Sequence, residues 1–72
     1  MNAEEQTSRT NAQTYIHQAT LDLHYTLGLL EAIKNRYPRT DDIVFHDLSQ
    51  CDKSILQALG KLNRSNLVLE AL

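Results

Sequence analysis

The chain has 72 residues, with seven Lys/Arg against nine Asp/Glu and a formal net charge of −2, so it carries no basic field for a phosphate backbone. That balance excludes nucleic acid as the expected main ligand. A chain this short buries only about 60% of its unfolded surface and is marginal unless stapled, metal-bound or oligomeric. Cys51 is the one cysteine, so no internal disulfide is possible, and a reducing compartment suits a lone thiol.

Residues 1–10, MNAEEQTSRT, hold Ala3 as their one apolar side chain besides Met1. So polar a stretch predicts a disordered tail, and without an apolar central run it is no secretory signal. Thr10 or Asn11 can cap a helix that follows. No apolar run reaches the ~18 residues of a membrane span, and an intracellular, soluble protein is expected.

The first predicted helix covers residues 11–37. Ile16, Leu23, Leu30 and Tyr37 recur every seven residues, with Ala12, Ala19, Leu27 and Ile33 between them. At 100° per residue they share one apolar sector, expected to pack within a hairpin. Leu21, Tyr25, Gly28, Leu29 and Ala32 lie outside that sector. They form a second stripe on the far side of the same helix, and a two-helix hairpin cannot cover it. These five are the candidate partner-binding residues. Gly28 costs about 1 kcal/mol relative to alanine in a helix interior, a cost that close approach of a neighbouring backbone would explain.

Pro38 stops this helix, and residues 38–40 are expected as the turn. Lys34, Arg36 and Arg39 complement the helix C-terminal dipole there. Thr40, Asp41 and Asp42 start the second predicted helix, residues 41–71. Leu48, Ile55, Leu62 and Leu69 recur every seven residues, with Val44, Cys51 and Ala58 expected at intermediate core positions. Phe45, Leu56, Leu59 and Leu67 broaden this face. Gly60 and residues 63–66 are poor helix formers, so a kink or a short third helix is possible there, with continuity preferred. Two such helices joined by a short turn make an antiparallel all-α hairpin. Its register places Tyr37 near Val44, Leu30 near Cys51, Leu23 near Ile55 and Ile16 near Leu62.

Chemistry is hard to find. His17 and His24 stand two turns apart, too far for a shared zinc, and Asp42 with His46 supplies two ligands at most. Ser49, Ser54 and Ser65 have no evident base. Phosphate-cradling glycine loops, CxxC and HExxH are absent from the sequence. The expectation is a non-enzyme without metal or cofactor, bound to a helical protein partner or to itself.

With its polar lead MNAEEQTSRT, its turn RYPRTDD and its second arm IVFHDLSQCDKSILQALGKL, the chain resembles the small helical-hairpin co-chaperones of the type III secretion needle subunit. The resemblance covers most of the chain and lies in size, acidity and layout. It implies a cytoplasmic complex with a larger tetratricopeptide-repeat co-chaperone, which together hold an aggregation-prone needle subunit soluble before export, and so a part in virulence. It carries no functional residue over. The other expectations are a homodimeric four-helix-bundle regulator and a nucleic-acid-linked regulator or antitoxin, the latter resting on Lys34, Arg36 and Arg39.

Overall fold

The computed structural model describes residues 2–36 and 42–72. Two α-helices account for nearly all of them: α1, Ala3–Arg36, and α2, Asp42–Ala71. No strand occurs among the described residues. The helices pack antiparallel. Lys34 near the end of α1 meets Asp52 early in α2, while Ala12 lies beside Leu69 at the other end. Tyr37, residues 38–40 and Asp41, to which the turn and the pairing of Tyr37 with Val44 were assigned, lie outside the described residues.

The polar lead is helical, which corrects the expected tail. Asn2 caps α1: its Oδ1 accepts the Glu5 N–H at 2.8 Å, its carbonyl accepts the Gln6 N–H at 3.1 Å, and its Nδ2 donates back to the Glu5 carboxylate at 3.5 Å. An asparagine cap with glutamate three residues on satisfies the open donors of a first turn, and Glu4 and Glu5 suit its positive dipole end. The threonines fold back as well. Thr7, Thr10 and Thr14 each donate a hydroxyl to the carbonyl four residues earlier, so their side chains do not compete with the helix.

α2 runs without a break through residues 63–66, in line with the heptad spacing that reaches Leu69. Asn66 contributes by donating its side-chain amide to Glu70 one turn later, at 3.2 Å.

The seam between the helices is regular on one side and shifted on the other. In α2 the half-buried Phe45, Leu48, Asp52, Ile55, Leu59, Leu62, Asn66 and Leu69 alternate steps of three and four, an unbroken heptad. In α1 the half-buried series is Arg9, Ala12, Ile16, Ala19, Leu23, Leu27, Leu30 and Lys34. Two steps of four follow one another at Ala19, Leu23 and Leu27. Such an insertion relaxes the left-handed supercoil locally and keeps the helix straighter there.

Five residues expected in the hairpin core are on its surface. Cys51 is exposed, Val44 is 51% exposed, Ile33 39%, and Leu56 and Leu67 lie open beside the seam. The reason is geometric. One opposing helix covers a narrow strip, and residues flanking it are left for water or another neighbour. No described side chain is fully buried. The molecule is correspondingly long, 57 × 15 × 12 Å, with a radius of gyration of 16.8 Å against about 11 Å for a compact chain of this length.

Candidate protein-binding face

The seam contains one ion pair whose partners are distant in sequence. Lys34 Nζ donates to Asp52 Oδ2, and both side chains are largely covered. The ammonium also stands 6.0 Å from the centroid of the Phe45 ring, at the outer reach of a cation–π contact. The hydrogen bond that Lys34 donates to Asp52, together with the charges of Asp52 and Glu31, raises the Lys34 pKa above the ordinary lysine value against a smaller opposing effect of burial. Lys34 is therefore a seam residue, more than the helix-end cap expected of it. Apolar periodicity does not reveal its alignment with Asp52, because a lone aspartate between Leu48 and Ile55 carries no apolar signal at that seam position. The interruption of an apolar heptad by Asp52 and Asn66 was the available signal.

The five candidate partner-binding residues occupy the side of α1 turned away from α2. Tyr25 is 70% exposed, Leu21 51% and Leu29 48%, and Gly28 and Ala32 are exposed as well. Spacings of four bring Leu21, Tyr25 and Leu29 into one ridge along the helix. Nothing lies within 4 Å of the position a Gly28 side chain would take, so the chain itself gives no reason for a glycine there. The α2 surface opposite is different in kind. His46, Gln50, Lys53, Gln57, Lys61 and Arg64 follow each other at spacings of three and four and are all exposed. The hairpin is thus two-sided, with an apolar outer face on α1 and a polar, basic one on α2.

Among the described residues, grooves of two kinds run beside the seam. One is polar, lined by Gln13, His17, Thr20, Asn63 and Asn66 around Ile16 and Leu59. The other is apolar, lined by Thr26, Leu30, Cys51 and Ile55 with Gln50 and Ser54 at its edge. Leu30 and Cys51 therefore do stand side by side as the register requires, although the thiol faces the groove instead of a core. Among the described residues no group of three His, Cys, Asp or Glu side chains is placed to hold a metal ion, and no helix is long and apolar enough to cross a membrane.

No protein-family model matches the chain, and no curated protein or solved structure is found to be similar to it.

Proposed function

We propose that this protein is a non-catalytic binding subunit that docks the outer face of α1 on a helical partner. The observation that carries this reading is the ridge of Leu21, Tyr25 and Leu29, each about half exposed or more in a hairpin with no fully buried side chain among the described residues. Water is a poor permanent neighbour for such a ridge, since each large apolar side chain gains about 1.5–3 kcal/mol on full burial. Anchors at i, i+4 and i+8 with a central aromatic suit insertion of a helix into the groove of another helical protein. Gly28 and Ala32 beside them let the partner's backbone come near. The layout shared with needle-subunit co-chaperones supplies the candidate complex: a cytoplasmic tetratricopeptide-repeat co-chaperone as the grooved partner, and a type III secretion needle subunit as the cargo kept soluble.

Co-expression with such a co-chaperone and needle subunit from the same source tests this directly. Co-elution of all three in gel filtration is expected, with loss of the chain from the complex in Tyr25→Glu. A complex that forms as well with Tyr25→Glu as with the wild type would exclude this face. Absence of any complex would remove the co-chaperone assignment.

A further inference from the structure

The apolar groove is flanked by charges arranged alike on both helices. On α1, Asp22, Leu29 and Arg36 follow at seven-residue spacing, and on α2 so do Asp47, Ser54 and Lys61. All four charged residues are exposed. Each series runs from acid to base with a neutral residue at its centre. An antiparallel copy of either series would therefore set acid against base at both ends.

We infer that the apolar groove is covered by a second copy of this chain, packed across a two-fold axis at the level of Leu29 and Ser54. That axis lays α1 on α1 and α2 on α2 of the second copy, each pair antiparallel. Asp22 then meets Arg36 of the second copy, and Asp47 meets Lys61 of the second copy, each contact occurring twice as an isologous interface requires. One axis has to serve both helices at once, and the hairpin register allows it. The pairing of Leu30 with Cys51 and of Lys34 with Asp52 brackets the level of Leu29 between Asp52 and Gln57 on α2, and Ser54 falls inside that interval.

The exposed area is sufficient. The chain presents 5730 Å² to solvent, against about 4,500 Å² for a compact monomer of 8.2 kDa. That surplus of about 1,200 Å² is spread over the whole elongated chain, and a standard stable interface takes roughly 800 Å² from each partner. The other groove sets Gln13, His17, Thr20, Asn63 and Asn66 around Ile16 and Leu59, so a second copy there would cover more polar groups. This dimer leaves Leu21, Tyr25, Gly28 and Ala32 outward but takes Leu29, the third residue of the docking ridge, to its axis, so it does not rest on the docking of α1 on a partner but shares Leu29 with it.

Sedimentation equilibrium of the purified full chain tests the axis through a charge swap. The wild type is expected to dimerise at micromolar concentrations. Asp47→Lys and Lys61→Asp should each weaken the dimer about five- to tenfold, because two like-charge contacts replace two opposite ones. The double variant should return to wild-type affinity. Asp22→Arg with Arg36→Asp repeats the swap on α1, so loss of helicity in one series leaves the other decisive. A wild type that stays monomeric, single variants that dimerise as well as the wild type, or a double variant as weak as the singles each overturns the inference. Partner capture by Tyr25 is read separately, so failure of one proposal is distinguishable from failure of the other.

Discussion

Lys34 of α1 and Asp52 of α2 form a hydrogen-bonded ion pair inside the helix seam, eighteen residues apart in sequence, with the ammonium 6.0 Å from the centroid of the Phe45 ring. A polar pair at an otherwise apolar position fixes which turn of one helix faces which turn of the other, because a slip would leave both charges without a partner.

The pair has a pH signature. Lys34 is raised above the ordinary lysine value of 10.5, so its stabilising contribution is fully present below that value and is lost as pH rises through the higher folded value. Thermal melts of the wild type should therefore fall in Tm above about pH 10.5 by more than melts of Lys34→Met. Lys34→Met should also be the less stable protein at neutral pH, and equal melts across the whole range would remove the pair from the stability of the seam.

Leu21→Glu and Tyr25→Glu are expected to leave the helical circular dichroism of the isolated chain within a few per cent of wild type while abolishing partner capture. Leu23→Glu, two residues from Leu21 but half-buried against α2, should instead lower helicity, because its charge would be desolvated in the seam. Unfolding by Tyr25→Glu would show the ridge to be internal.

Gly28→Ala and Gly60→Ala should each stabilise the isolated chain by about 0.5–1 kcal/mol in urea unfolding. Both sites are open, with nothing within 4 Å of the added methyl group, and neither glycine has a positive φ. The two differ in binding. Gly28→Ala is expected to weaken partner capture and Gly60→Ala to leave it unchanged.

Asn2→Ala removes the side-chain acceptor of the Glu5 N–H, at a cost of about 1 kcal/mol to the first turn. Amide exchange measured by NMR should quicken over residues 3–8 and stay unchanged beyond Ile16.

The hairpin was legible because heptad spacing needs no tertiary information: Leu48, Ile55, Leu62 and Leu69 name the inner face of α2 by themselves. The exposure of Leu21 and Tyr25 was legible for the same reason, as residues half a turn from Leu23 and Leu30. The helical lead was not read, because hydrophobicity carries no signal in a segment ordered by an asparagine cap and local hydroxyl bonds. Cys51 and Val44 were placed wrongly because periodicity gives the direction of a side chain but not the width of what covers it. A single opposing helix covers less than the apolar sector of α2, and Cys51, on one margin of that sector, lines the apolar groove.

The absence of any fully buried side chain among the described residues bears on how long the chain survives alone. Proteases cut the opened form of a protein, and a hairpin held by half-covered contacts opens often. An orphaned copy should be short-lived, and a copy whose apolar flanks are occupied should persist. On that basis the amount of this protein is expected to follow the supply of whatever covers it.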